Sequence, residues 1–414
     1  MTQTTTSPAQ PGQPAEAARV VRAARIRRIL LTLAAPLLAL VISLAITSLV
    51  LALTGTPPIG TFKQMLDYGA QPTTLALIVN SAITYYFAAL AVAVGFRMNL
   101  FNIGVDGQYR LAAMLAASVG GAVSLPPVLH VTLILLVAVL VGGAWAAIAG
   151  LLKVYRGVSE VISTIMLNFI ATGLVAYLLT PGRLAIRTEG SNNIGTKPIP
   201  ASGQVPGLSL IPANGLQLHP AASAAGPAPK VYGLLILAIL AGIAYWFLLE
   251  RTRFGFELRA TGQNEAAAVA SGVNVKRMVL ISMVISGVVA GLVGMPQLLG
   301  ASYTYSLDFP AGIGFTGIAI ALLGRNTAVG VAIGALLFGF LDNSSQILDL
   351  EGVAKEIVLI TQGVIVLSVV IAYELVRRYR VVAEQRAVGA ALASAPPPPA
   401  PPGPADPADR EVTG

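Results

Sequence analysis

The chain has 414 residues, of which 55% are hydrophobic and only 11% are charged, and its mean hydropathy is +0.77. Soluble domains carry about 25% charged residues, so this composition indicates a membrane protein. Cysteine is absent, which excludes disulfides, thiolate metal sites and cysteine nucleophiles. The two histidines, His130 and His219, lie far apart, and the sequence has no phosphate-binding loop motif for ATP. An enzyme in its own right is therefore poorly supported.

The hydropathy pattern predicts an all-α polytopic membrane protein with about ten transmembrane helices. Each predicted span covers roughly 15–25 residues, which is the length that a bilayer core requires. The spans lie near residues 29–53, 73–95, 100–122, 128–152, 160–180, 231–249, 277–299, 311–324, 326–345 and 356–376.

The positions of the basic residues predict the orientation. With the N-terminus in the cytoplasm, all but six of the 26 Lys and Arg fall on the cytoplasmic side. The six exceptions are Lys63, Arg183, Arg187, Lys197, Lys230 and Lys355. This bias follows the positive-inside rule and predicts a multi-pass protein of the cell membrane with both termini in the cytoplasm. The basic surplus behind the net charge of +8 thus orients the protein in the membrane. Membrane lipid is an expected partner, and no nucleic acid partner is expected.

Composition divides the chain into three parts. Residues 1–28 form a basic cytoplasmic arm and residues 381–414 a Pro-rich cytoplasmic tail, and both are predicted to be disordered. Residues 29–380 form the transmembrane domain. Within it, 181–230 is predicted to be an extracytoplasmic lid or docking loop, and 250–277 a cytoplasmic loop.

Small residues recur at four-residue spacing inside three of the spans. Such faces allow helices to approach closely where lipid supplies no hydrophobic driving force, and packing alone explains them. The faces are Gly142, Ala146 and Gly150; Gly287 and Gly291; and Gly330 and Gly334.

Two predicted spans are irregular. The third contains Asn102, Asp106 and Gln108 at membrane depth, and the eighth, "DFPAGIGFTGIAIALLG", is short and rich in glycine. Interrupted helices in each half of a chain indicate a transport path, although two kinked packing helices would give the same pattern. Asn80 is a weaker candidate for the path, and Phe101 and Phe315 are aromatic residues near the broken helices.

Asp106 and Arg110 are charged residues clearly inside a predicted span. Their spacing of four allows them to neutralise one another on a helix, and a structural pair and a role in the path are equally plausible. No run of intramembrane carboxylates or histidines is present to relay protons. The energy for transport is therefore expected to come from a partner.

The segment Phe254–Arg277 predicts a short water-exposed helix between two spans. Thr261 or Gly262 is expected to open it, with Asn264 and Glu265 at its positive end and Gly272 as the left-handed stop. A helix of about eight or nine residues is marginal alone, so docking into a groove of another protein is favoured. The alternative is an amphipathic connector on the bilayer surface, but large apolar residues are lacking.

Four stretches carry a resemblance to a known family. They are "LRATGQNEAAAVASGVNV", "NLFNIGVDGQ", "GVSEVISTIMLNFIA" and "GIGFTGIAIALLGRNTAVGVAIGALLFG". The chain resembles ABC-transporter permeases of the branched-chain amino acid, ribose and nucleoside family, and it is most similar to general nucleoside permease subunits. The resemblance implies a type II-like importer fold with an inverted repeat and broken helices. It also implies three partners: a cytoplasmic ABC ATPase that binds the ATP, a second permease subunit and an extracytoplasmic substrate-binding lipoprotein.

The resemblance also implies roles for individual residues. The helix that couples to the ATPase would contain Arg259, Gly262, Gln263, Asn264, Glu265, Ala266, Ala267 and Gly272. The broken-helix motif that lines the path would contain Asn102, Gly104, Asp106, Gly107 and Gln108. No cofactor and no metal are expected on this chain.

The sequence therefore predicts a permease subunit that moves a small polar solute inward, with a nucleoside as the first candidate. A simple sugar or a branched-chain amino acid is the alternative cargo. A transporter or channel that works alone is a rival of a different class, and a membrane enzyme ranks below both.

Overall fold

The structure, a computed structural model, describes residues 38, 41–187, 193–209, 230–350 and 356–393. The predicted basic arm, much of the first span, the middle of the 181–230 segment and the Pro-rich end of the chain lie outside the described residues. Residues 42–367 form one compact unit, which contains every site considered below. The second unit comprises residues 1–41 and 368–414.

Helices dominate the described part of the chain. In chain order they are α1 Val41–Leu53, α2 Pro58–Gly69, α3 Pro72–Phe96, α4 Val105–Ala122, α5 Pro127–Arg156, α6 Glu160–Leu178, α7 Leu235–Arg251, α8 Arg253–Gln263, α9 Glu265–Ala270, α10 Val275–Gly291, α11 Met295–Gln297, α12 Ile313–Leu323, α13 Ala328–Ser344, α14 Gln346–Leu350 and α15 Glu356–Ala393. A π-helical turn, Leu298–Ser302, follows α11.

The helix bounds follow local sequence signals. α5, 30 residues long, begins with Pro127, whose missing N–H costs nothing in a first turn. It ends with Lys153 and Arg156 in its last turn and with Gly157 in the left-handed region at φ 67°. α3 is 25 residues long and is buried along most of its length, so it lies at the centre of the bundle.

The small-residue faces of α5 and α10 pack directly against each other. A Cβ atom on Gly142 would overlap the backbone of Gly287 and lie 2.8 Å from the amide nitrogen of Gly291. Ala146 is fully buried and would be met by a side chain on Gly287. The packing role predicted for these glycines is therefore confirmed for this helix pair.

We expect the substitution Gly142→Leu to push α5 away from α10. Overpacking of this kind costs roughly 1–3 kcal/mol, so the melting temperature of the purified protein in detergent should fall. Gly173→Leu in α6 is the matched control, since a Cβ there meets nothing within 4 Å. An unchanged melting temperature for Gly142→Leu would contradict the packing described here.

The described residues contain five helices long and apolar enough to cross a membrane, or up to seven if each of two bent pairs counts as one span. The bent pairs are α1 with α2, at 113°, and α7 with α8, at 70°. The predicted eighth span corresponds to α12, which has only 11 residues. The predicted tenth span, 356–376, lies within α15. This helix continues to Ala393, so it extends into the segment predicted to be the disordered tail. A polytopic helical membrane protein is thus established, and the count of ten spans stays a prediction.

The 181–230 segment is not wholly irregular. Strands β1, Ala185–Arg187, and β2, Ile194–Thr196, pair antiparallel, so the fold is not purely α-helical. The amide of Thr196 donates to the carbonyl of Tyr305 at 2.9 Å, and its hydroxyl accepts from the Tyr305 amide at 3.0 Å. The hairpin is thereby held against the loop that precedes α12.

Candidate functional site

A polar cavity of about 520 Å³ opens between α3, α13, the start of α12 and the first turns of α15. Amides, hydroxyls, phenols and one carboxylate share its wall with apolar and aromatic groups. It is lined by Leu77, Asn80, Ser81, Thr84, Tyr85, Tyr232, Gly294, Gln297, Phe309, Pro310, Ala311, Gly312, Ile313, Thr316, Asp342, Leu359 and Gln362. A small number of polar groups that converge in a concave, partly apolar space is typical of a small-molecule site.

The carboxylate in this cavity belongs to Asp342 of α13. The Tyr85 hydroxyl donates to its Oδ2, and the Gln362 side-chain amide donates to its Oδ1 at 2.5 Å. These three residues come from α3, α13 and α15, with Tyr85 more than 250 residues from the other two, and they were not among the predicted site residues. One signal pointed to them: Asp342 falls inside the predicted ninth span, and an ionisable residue in a span marks a functional site by default.

Asn80, a predicted site residue, lines this cavity. Its side-chain nitrogen donates to the Lys230 carbonyl at 3.1 Å, and its oxygen accepts from the Tyr232 amide at 2.8 Å. The Tyr232 hydroxyl donates in turn to Gln297 Oε1 at 2.9 Å. Asn80 therefore fixes one rim of the cavity.

Asp106 fixes the part of the cavity wall where the chain enters α12. Its Oδ1 accepts from the amides of Gly312 at 2.8 Å and Gly314 at 3.4 Å. Gly312 has φ 83°, a left-handed conformation that glycine adopts without strain. Arg110 Nη1 lies 4.0 Å from Asp106 Oδ2, so the predicted pair forms, but the carboxylate mainly caps α12. Asp106 thus supports the cavity wall from behind.

Asn102 and Gln108 lie away from the cavity in a buried network. The two side chains exchange hydrogen bonds of 3.0 Å, and Asn102 also donates to Ser286 Oγ at 2.8 Å. Asn102 Oδ1 accepts from the Gly104 amide at 3.0 Å. The Ser286 hydroxyl in turn donates to the Ala91 carbonyl at 2.6 Å. Both side chains are only 1% exposed, so their geometry is that of an anchor joining α4, α10 and α3.

The structure places the two aromatic candidates outside the cavity wall. Phe101 is 44% exposed and meets the ring of Phe96 edge-on at 5.0 Å. Phe315 is 56% exposed on α12. Neither ring is positioned to contact a molecule held beside Asp342.

The predicted docking segment consists of two helices rather than one. The Asn264 side chain caps α9, since its Oδ1 accepts from the Ala267 amide at 3.0 Å, and α9 spans only six residues. Thr261 and Gly262, the predicted start, instead end α8. A Cβ on Gly262 would lie 2.8 Å from the Arg97 carbonyl, so this glycine packs on the end of α3. The predicted stop is confirmed, because Gly272 has φ 82°.

Residues Gln263 to Ala267 are all exposed and run along the turn between α8 and α9. Glu265 lies in the first turn of α9, where the helix dipole favours negative charge. A shallow depression of about 330 Å³ adjoins this turn. It is lined by Arg253, Phe256, Glu257, Ala260, Gln263, Asn264, Ala267, Ala268, Ser271, Gly272 and Val273.

A polar network connects this segment to the end of α12. Glu250 pairs with Arg97 at 3.1 Å and lies 3.7 Å from Arg259 of α8. The Asn326 carbonyl, in the turn between α12 and α13, accepts from Arg97 Nε at 3.0 Å and from the Tyr245 hydroxyl at 2.7 Å. α12 is therefore tied to Asp106 near the cavity and to α3 and α7 at its other end.

The structure thus combines a bundle of apolar helices, a polar cavity within it and the exposed turn between α8 and α9. This combination defines a multi-pass membrane protein of the transport class. A family model described as the permease component of branched-chain amino acid transport systems matches residues 74–370. The chain belongs to this family of ABC transporter permeases.

Three relatives cover most of the chain. The guanosine ABC transporter permease protein NupP of Bacillus subtilis is 34% identical over 345 residues, covering 82% of this chain and 94% of the relative. The glucose ABC transporter permease protein TsgB13 of Haloferax volcanii is 30% identical, with 85% and 90% covered. The nucleoside ABC transporter permease protein NupB of Lactococcus lactis is 28% identical, with 82% and 90% covered. No solved structure matches the chain.

Proposed function

We propose that this chain is the membrane-spanning permease subunit of an ABC importer that moves nucleosides into the cell. The observation that carries the proposal is the polar cavity beside Asp342, which offers hydrogen-bonding groups together with apolar and aromatic walls. A nucleoside presents the matching combination of a hydroxylated sugar and a flat ring. The names of two of the relatives, a guanosine and a nucleoside permease, support the same cargo.

The assembly proposed here has three further parts. The exposed turn of Gln263 to Ala267 docks on a cytoplasmic ABC ATPase, which binds and hydrolyses the ATP. A second permease subunit completes the path, and an extracytoplasmic lipoprotein delivers the solute. The charge bias of the sequence supports placing α8, α9 and both termini in the cytoplasm. The ten-span inverted-repeat architecture and the surrounding lipid contacts belong to the same proposal.

A simple sugar is the second candidate cargo. The glucose permease among the relatives favours it, and the hydroxyl-binding groups of the cavity suit a sugar as well as a nucleoside. A branched-chain amino acid fits less well, because its carboxylate requires a positive partner. None of the described residues that line the cavity is Lys, Arg or His.

Uptake by native cells separates these cargoes. Deleting the gene should abolish uptake of labelled guanosine, and restoring it should return the uptake. Excess unlabelled uridine should compete, whereas glucose, ribose and leucine should not. Competition by a sugar and not by uridine would instead favour a sugar as the cargo.

Purification of the tagged protein in mild detergent tests the assembly. An ATPase and a second permease should copurify with the chain. Recovery of the chain alone, with uptake intact in the same cells, would instead favour a transporter that works without partners.

A further inference from the structure

Asp342 is the carboxylate at the cavity wall that no role described so far uses. Each of its oxygens accepts one hydrogen bond from the chain, from Tyr85 on Oδ2 and from Gln362 on Oδ1. A carboxylate offers about four acceptor sites, so both oxygens retain a lone pair for a donor in the cavity. The two neighbours hold the group in a fixed orientation, which reduces the entropy lost when a solute binds.

A fixed carboxylate with both oxygens available suits two adjacent donors. Vicinal hydroxyls on a sugar ring present two O–H donors side by side and carry no charge. Hydrogen bonds to an ionised acceptor are stronger than bonds between neutral groups. Asp342 is therefore the strongest polar anchor that the described cavity residues offer to a hydroxylated solute.

The rest of the wall argues against an anion at this position. The start of α12 lines the cavity at Gly312 and Ile313, and a helix N-terminus ordinarily attracts anions. Here the Gly312 and Gly314 amides donate to Asp106, which supplies the negative charge from within the protein. A carboxylate or phosphate on the solute would meet Asp342 without a cation among the lining residues to offset it.

We propose that Asp342 is the specificity-determining residue of the permease, and that it accepts hydrogen bonds from the 2′- and 3′-hydroxyls of the ribose. This inference rests on the proposed nucleoside transport. Tyr85 and Gln362 also line the cavity, and they act as positioning residues because their hydrogen bonds orient the Asp342 carboxylate.

The test compares maximal uptake rates of guanosine and 2′-deoxyguanosine by the complete importer in cells. At saturating solute the binding lipoprotein is filled, so the difference between the two rates reports on steps within the permease. In the unmodified protein guanosine should move about tenfold faster, the factor that 1.4 kcal/mol of a hydrogen bond supplies. Asp342→Asn should lower the guanosine rate about tenfold and lower the 2′-deoxyguanosine rate less, because the deoxy solute has only its 3′-hydroxyl to donate to this position.

Asp308→Asn is the matched control, since Asp308 is an exposed carboxylate in the loop just before the cavity lining. It should preserve both rates and their ratio. Equal loss of both solutes in Asp342→Asn would assign Asp342 a purely structural role and overturn the inference, and so would unchanged rates. No uptake of either nucleoside by the unmodified importer would instead overturn the proposed function.

A second variant covers the case in which Asp342→Asn does not reach the membrane. Tyr85→Phe removes one hydroxyl, keeps the ring and releases the carboxylate from its fixed orientation. The inference then expects the guanosine rate to fall more than the 2′-deoxyguanosine rate. An equal fall in both rates would overturn it.

Discussion

Glu265→Arg should abolish solute uptake while the protein remains in the membrane at its normal level. Glu265 is exposed in the first turn of α9, so the substitution disturbs no buried contact. It places a positive charge at the positive end of the helix dipole, and it reverses the charge that the proposed ATPase groove would meet. Uptake should fall at least tenfold, and the amount of ATPase that copurifies should fall with it.

The control for this prediction is Asp308→Arg, an equal charge reversal at an exposed position that the proposed topology puts on the other side of the membrane. It should leave the copurified ATPase unchanged. Normal uptake in Glu265→Arg would remove the docking role from the turn between α8 and α9, which would then be a connector between spans.

Asp106→Ala should destabilise the protein and stop transport together. The substitution leaves the amides of Gly312 and Gly314 without their acceptor and leaves Arg110 without its counter-charge. Losses of this kind cost roughly 2–4 kcal/mol in a buried setting. The melting temperature in detergent should drop clearly, and uptake should be lost because the start of α12 no longer holds the cavity wall.

Asp106→Asn distinguishes the hydrogen bonds that cap α12 from the negative charge beside Arg110. The amide oxygen still accepts from Gly312, so this variant should recover most of the stability that Asp106→Ala loses. If Asp106→Ala melts at the temperature of the unmodified protein, the carboxylate does not support α12 in the way described.

The Asp106 site illustrates what sequence spacing predicts and what it omits. The separation of four residues predicts the approach of Arg110, because side chains four apart share a helix face. It carries no information on Gly312 and Gly314, which lie more than 200 residues later and reach Asp106 only through the packing of α12 against α4. The long-range hydrogen-bond partners of a polar residue are determined by tertiary packing, and a single sequence does not show which residues they are.

The start of the docking helix shows a second limit. Thr261, Gly262 and Asn264 are all acceptable caps by residue type. The choice falls on Asn264 because the Thr261 hydroxyl donates to the Glu257 carbonyl and Gly262 packs on the end of α3, so both belong to α8. Local propensity thus predicts that a helix begins here, and packing decides the residue.

The cavity itself was only partly predictable. Asn80 was a candidate because it is an amide inside a predicted span, whereas nothing in the sequence around Tyr85 or Gln362 distinguished these two residues from their neighbours. They matter because both side chains donate to Asp342, and it is the packing of α3, α13 and α15 that brings the three residues together. Asn102 and Gln108 show the converse, since their clustering in sequence reflects a local hydrogen-bonded anchor.

The short α12 is also held at the end away from the cavity, by the turn that follows it. Both lone pairs of the Asn326 carbonyl are occupied, by Arg97 and by Tyr245, so this turn cannot shift without losing a hydrogen bond. The turn therefore fixes the position of this end of α12. Eleven residues at 1.5 Å each give an arm of about 16 Å, so a rotation of about 10° would carry Ile313 through about 3 Å. A small change in the angle of α12 about this turn would therefore displace the cavity wall at Ile313 while the turn kept both hydrogen bonds.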